Sequence, residues 1–159
     1  MILMYEISKE LLKDKEQKLL TEQDRKRIIT SFKRINDDDR ILLLLSHIEG
    51  REIVASKKIL HTAFFKLKEN FSQHFKNFYF TTNENYPFCK RVDDIFFRLQ
   101  NCRALSMKNP TYESYLIRDE VKQMIREKIQ PNIEEEDQNF MEDIVGMIQI
   151  VKEFLEHHE

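Results

Sequence analysis

The chain has 159 residues, 41% of them hydrophobic and 34% charged, with a formal net charge of −2. That balance fits a chain able to bury a core and excludes intrinsic disorder, which needs too little apolar content to offset chain entropy. No apolar run approaches the roughly 20 residues of a membrane helix, and only two glycines and three prolines predict long helices joined by short turns.

The charge is unevenly spread. Residues 1–50 carry 10 Lys and Arg against 10 Asp and Glu; residues 51–130 carry 15 against 9; residues 131–159 carry 1 against 9. A basic middle suits a polyanionic partner, unless the acidic carboxy-terminal stretch folds back over it. The start, Met1 to Met4, is apolar for four residues without a charged leader, so no secretory signal is expected. Cys89 and Cys102 lie on one predicted helix, about 19 Å apart along its axis, too far for a disulfide. A reducing, cytoplasmic setting is the corresponding expectation.

In chain order, Ser8 is placed to cap a helix carrying Leu11, Leu12, Leu19 and Leu20 on one side. Thr21 caps a second, in which Ile28, Ile29, Phe32 and Ile35 recur at helical spacing. Asp37-Asp38-Asp39 favours a fresh helix start, since acids complement the positive end of a helix dipole. Arg40 to Leu45 is almost wholly apolar, so this helix must be buried, with Gly50 expected to stop it. Ser56 caps a helix carrying Ile59, Leu60, Ala63, Phe64 and Leu67. The alternation through Phe78, Tyr79 and Phe80 predicts a short strand or extended segment.

Tyr86-Pro87 then opens a helix from Cys89 to Cys102, with Val92, Ile95, Phe96 and Leu99 facing inward and Lys90, Arg91, Asp94, Arg98 and Asn101 outward. Ala104–Met107, a polar break at Lys108-Asn109-Pro110-Thr111, and Tyr112–Ile117 read as a two-stranded hairpin. Asp119 starts a helix carrying Val121, Met124, Ile125 and Ile129, expected to end at Pro131. Finally Met141, Ile144, Ile148, Val151 and Leu155 repeat at the 3-4 spacing of a helix pressed along another helix.

Three helices followed by a hairpin predict a mainly α protein: a winged helix-turn-helix module over 37–130, amino-terminal helices over 1–36, and an acidic carboxy-terminal helix over 131–159. The basic face of the third helix is the leading site. Lys90, Arg91, Arg98 and Asn101, beside Asp94, with Lys108 and Arg118 flanking the hairpin, would meet DNA phosphates and base edges, Gln100 or Asn101 reading adenine. Met141, Ile144, Ile148, Val151 and Leu155 would form a homodimer interface. Neither glycine belongs to a phosphate-cradling loop. His47 and His61 read as core or boundary residues, His157-His158 as a polar terminus, and the adjacent Asp93 and Asp94 diverge on a helix. No catalytic residues, metal or cofactor are expected.

The run Tyr86-Pro87-Phe88-Cys89-Lys90-Arg91-Val92-Asp93-Asp94-Ile95, continued by Leu99-Gln100-Asn101-Cys102-Arg103-Ala104-Leu105, resembles the third helix of small prokaryotic winged-helix proteins. These include the phage-associated, Panacea-type antitoxin group. Ile41 to Leu67 is similar to that group's opening helices. Tyr86 and Cys89 stand where the group has Gly and Ser, and Arg103-Ala104 replaces its small-residue turn. The resemblance implies a regulatory or interaction module. Two functions remain open: a dimeric DNA-binding regulator, or a protein-interaction module that grips a partner protein.

Overall fold

The computed structural model describes residues 2, 3, 5, 6, 21–24, 26, 35–82 and 85–156. The expected cap at Ser8 and the stripes from Leu11 to Phe32 lie outside the described residues. Thr21 does cap: its hydroxyl accepts the Asp24 amide at 3.1 Å, and the Asp24 carboxylate accepts the Thr21 amide at 3.3 Å.

Helix α1, Asp37–Ser46, is the centre of the molecule. Asn36 caps it by a reciprocal pair of bonds: its side chain accepts the Asp39 amide at 3.1 Å, and Asp39 accepts the Asn36 amide at 3.2 Å, satisfying two otherwise orphaned donors. Ile41 through Leu45 are all buried, as an all-apolar helix requires. The helix ends at Ser46, four residues before Gly50, so Gly50 does not stop it. Gly50 instead takes a left-handed conformation, φ +71, in the turn leading to β1.

Strand β1, Glu52–Val54, leads into α2, Lys57–Asn70. Ser56 occupies its cap position without making a side-chain bond. A single 3₁₀ turn, Ser72–His74, follows. The aromatic stretch beyond it makes one antiparallel bridge, Thr81 to Phe88, rather than a strand. Helix α3, Lys90–Asn101, falls within one residue of its expected ends and buries Val92, Ile95, Phe96 and Leu99. Strands β2, Ser106–Met107, and β3, Ser114–Leu116, form the expected hairpin.

The sheet is antiparallel, ordered β1-β3-β2, with Ile53 opposite Tyr115 and Met107 also opposite Tyr115. A two-stranded hairpin was expected, and β1 is the third strand. Three residues carry no usable alternation, which is why Glu52–Val54 gives no periodic signal. Ile53 pins the strand through its complete burial.

Helix α4, Asp119–Met124, runs into a π-helical turn, Ile125–Ile129, and on through α5, Gln130–Glu136. Pro131 therefore does not end the helix. Proline lacks the amide for the i−4 bond and crowds that carbonyl; the wider π turn, closed by the Gln130 amide on the Ile125 carbonyl, accommodates it. Asp137 caps α6, Gln138–Leu155, by accepting the Phe140 amide at 3.2 Å, so the acidic run divides between the exposed end of α5 and this cap.

Helix α6 packs on α1 and α2, and one apolar core runs from Ile2 to Leu155. Leu43 sits at its middle with no exposure. Leu43→Ala should lower unfolding free energy by about 2–5 kcal/mol, read as a lower denaturant midpoint at unchanged slope. A loss well under this range would show that α1 is not the core helix.

Candidate functional site

The outward face of α3 carries Lys90, Asp94, Phe97, Arg98 and Asn101, at positions that recur every three or four residues and so share one side of the helix. Most of the cations expected to meet phosphate are held by this chain's own carboxylates. Arg98 makes a two-pronged contact with Asp38, Nε to Oδ2 at 2.8 Å and Nη2 to Oδ1 at 2.9 Å. Arg91 reaches Asp37 through Nε at 3.0 Å, and its guanidinium stands 5.6 Å over the Phe78 ring. Lys108 pairs with Glu52, and Lys90 with Asp94 one turn along at 3.0 Å. The acids that neutralise Arg91 and Arg98 come from the start of α1, not from the acidic carboxy-terminal stretch. Asn101 and Arg118 are exposed and, among the described residues, Arg118 has no carboxylate in salt-bridge reach. Gln100 bonds the Tyr115 hydroxyl rather than facing outward.

Asp93, which diverges from Asp94 on the helix as expected, has a structural task. His61 is fully buried, and its Nδ1 accepts the Cys89 amide at 3.0 Å. Its Nε2 is then the protonated nitrogen and donates to Asp93 at 2.8 Å, while Lys57 reaches the other carboxylate oxygen at 3.1 Å. Partial burial pushes Asp93 up, but the His61 and Lys57 bonds outweigh it and hold the carboxyl below its usual value. This ties α2 to the first turn of α3 and gives His61 the core role expected of it. Among the described residues no group of three metal-ligating side chains exists.

Three functional candidates escaped the sequence reading. Phe97 is 64% exposed at the centre of the α3 stripe, and Tyr112 is 60% exposed beside the hairpin turn. Arg103, exposed just after α3, adopts φ 62, a left-handed conformation that costs a non-glycine residue roughly 1–2 kcal/mol. A signal for Phe97 existed: it follows Phe96 by one position, about 100° round the helix from the inward face.

The expected homodimer face is largely occupied from within. Ile144, Val151 and Leu155 are buried in the chain's own core against α1 and α2, and Met141 and Ile148 are half-buried at its margin. An 18-residue helix seated across two neighbours finds its cover there; the large apolar side chain it leaves exposed is Val145. No helix among the described residues is long and apolar enough to cross a membrane. In comparisons with protein families, characterised proteins and solved structures, nothing matches this chain.

The pairs differ sharply in what they hold. Asp38 is almost fully buried, so Arg98→Ala strands a carboxylate and should cost roughly 1–3 kcal/mol. Lys90→Ala breaks an exposed pair and should cost under about 0.5 kcal/mol. Thermal unfolding of both variants decides; equal losses would mean that Arg98 is not a clamp.

Asp39 sets a pH signature. Burial pushes its carboxyl from 3.8 to about 6, against the opposing pull of the Asn36 and Ile2 amides. Between those values the native chain keeps a proton that the unfolded chain has released. This group therefore stabilises fully at low pH and loses that contribution as pH rises through about 6. The stability of Asp39→Asn minus that of the unaltered chain should climb across this window by up to about 3 kcal/mol, then level. A difference that does not change with pH would contradict the assignment.

Proposed function

We propose that residues 37–118 form a winged helix whose α3 face binds a protein partner, without catalysis. The order α1-β1-α2-α3-β2-β3 with sheet order β1-β3-β2 supports the fold, because it delivers α3 to the surface beside a hairpin. The observation that carries the protein reading is the make-up of the α3 stripe. Its centre is an exposed phenylalanine flanked by the self-neutralised Lys90–Asp94 and Arg98–Asp38 pairs. A central aromatic within a polar, charge-balanced rim is the composition of a protein interface. A groove-reading helix needs hydrogen-bonding side chains there, and phenylalanine reaches only a thymine methyl. The resemblance of residues 86–105 to small prokaryotic winged-helix proteins, including the Panacea-type antitoxin group, implies a regulatory or interaction module and is compatible with this reading.

DNA contact is the second reading, and specific residues favour it. Arg103 and Arg118 are exposed cations with no carboxylate in salt-bridge reach among the described residues, and Asn101 is exposed near Arg103 in sequence. Arg103 also holds a left-handed position, φ 62, where a glycine would be unstrained.

Phe97→Glu separates the two. An exposed site tolerates the change within about 0.5 kcal/mol, so melting should stay put while a stoichiometric protein partner captured by the unaltered chain from its own cells is lost. Binding to genomic DNA fragments that weakens steeply with salt, survives Phe97→Glu and falls with Arg103→Ala and Arg118→Ala would replace the protein reading with the DNA one.

A further inference from the structure

A cleft of about 720 Å³ opens between the turn after α1, Ser46 to Arg51, and the outer side of α4 and its π turn, Asp119 to Glu127. Its volume lies in the range of small-molecule sites, roughly 300–1,000 Å³. None of the α3 residues discussed above lines it.

The lining carries three cations, Arg51, Lys122 and Arg126, and three acids, Glu49, Asp119 and Glu127, and what matters is which of them are already paired. Asp119 is taken by Arg51, and Glu49 by Lys152 at 3.3 Å. Glu127 accepts the neutral Gln123 amide at 2.9 Å. Lys122, by contrast, spends two of its three N–H groups on neutral partners, the Ile48 carbonyl at 2.6 Å and the Gly50 carbonyl at 2.5 Å. Those bonds fix the ammonium at the cleft and leave its positive charge intact. Arg126, one residue into the π turn, is exposed with no carboxylate in salt-bridge reach among the described residues. It lies close enough to Lys122 to disfavour the charged amine, as does the larger effect of burial, while the Asp119 and Glu156 carboxylates act in the opposite sense. His47 joins the lining with Nδ1 donating to the Leu43 carbonyl at 2.8 Å, which leaves Nε2 for a ligand hydroxyl.

We propose that this cleft binds a small molecule through an oxyanion, a phosphate ester or a carboxylate, held between the fixed Lys122 ammonium and the Arg126 guanidinium. Two like charges kept together lower their mutual repulsion when an anion sits between them, and a guanidinium offers a planar two-pronged donor to either group. The ion is small because the cleft is concave and bounded by a turn and one helical face. The π turn contributes by placing Arg126 on a widened coil, a feature that recurs at binding sites.

The test is titration of the full chain with inorganic phosphate and, separately, with succinate, followed by amide NMR. Saturable shifts should appear at residues 47–51 and 122–127, with a millimolar constant suited to so small a probe. Arg126→Gln should weaken binding about tenfold, losing one charged contact, at an unchanged melting temperature because Arg126 is exposed and has no carboxylate in salt-bridge reach among the described residues. Lys122→Gln should weaken it too, and also loosen the turn at Gly50. Phosphate binding without succinate binding identifies the ester, and the reverse identifies the carboxylate. No saturable shift with either anion, shifts centred elsewhere, or binding that Arg126→Gln leaves intact would each overturn the proposal.

Discussion

Three consecutive aspartates at the start of α1 hold this structure together, and each is spent on a different partner. Asp37 takes Arg91, Asp38 takes Arg98, and Asp39 closes the helix cap while accepting the Ile2 amide at 3.0 Å. A helix start already favours negative charge, so acids placed there answer the dipole and the two arginines together. The all-apolar run behind them can then be buried without a polar group of its own to satisfy. Asp38 and Asp39 are themselves buried, and a buried carboxylate without a partner is costly. The dependence runs one way most strongly: Asp38 is buried and needs its arginine, whereas Arg91 and Arg98 remain partly open to solvent.

That obligation shapes the surface. Arg91 and Arg98 read in isolation as free cations on a groove-facing helix, but each belongs to a helix–helix joint. Once Lys90 is matched by Asp94 and Lys108 by Glu52, the outward character of α3 passes to Phe97. Net charge over a segment sums the cations without regard to partners, and partners from distant positions decide which of them remain available. The +6 of residues 51–130 is a weak guide for that reason: the neutralising acids lie outside the segment, at Asp37 and Asp38.

Local signals carried much of the fold. The acid triplet before a leucine run located α1, the 3-4 spacing of Val92, Ile95, Phe96 and Leu99 located α3 to a residue, and the polar break at 108–111 located the hairpin. What stayed hidden depended on tertiary contact. Glu52–Val54 is a strand only because β3 lies beside it. Pro131 is passed only because a π turn absorbs it. The apolar stripe of α6 shows that a partner exists, but not that α1 and α2 of the same chain supply it. The candidate site was legible in place and not in character: α3 and the hairpin were found, whereas Tyr112 and Arg103 emerged only from exposure and backbone geometry, and Phe97 from exposure that its helical position merely allowed.

Helix α1 also joins the two ends of the molecule where ligands are proposed. Its ten residues span about 15 Å, from the aspartates that grip α3 to His47 at the charged cleft. Ile41 through Ser46 are buried, and close-packed interiors transmit displacement rather than absorb it. The turn after α1 is held to α4 by Lys122 on two carbonyls, so an anion drawn to that ammonium competes for the group that sets the turn's position. The turn is tied to β1, α4 and α6 as well, but α1 is the element that runs from it to Arg91 and Arg98. Coupling between cleft and α3 face then rests on whether a ligand moves the Lys122 ammonium off its carbonyls, since binding that leaves those two bonds unchanged gives α1 no reason to move.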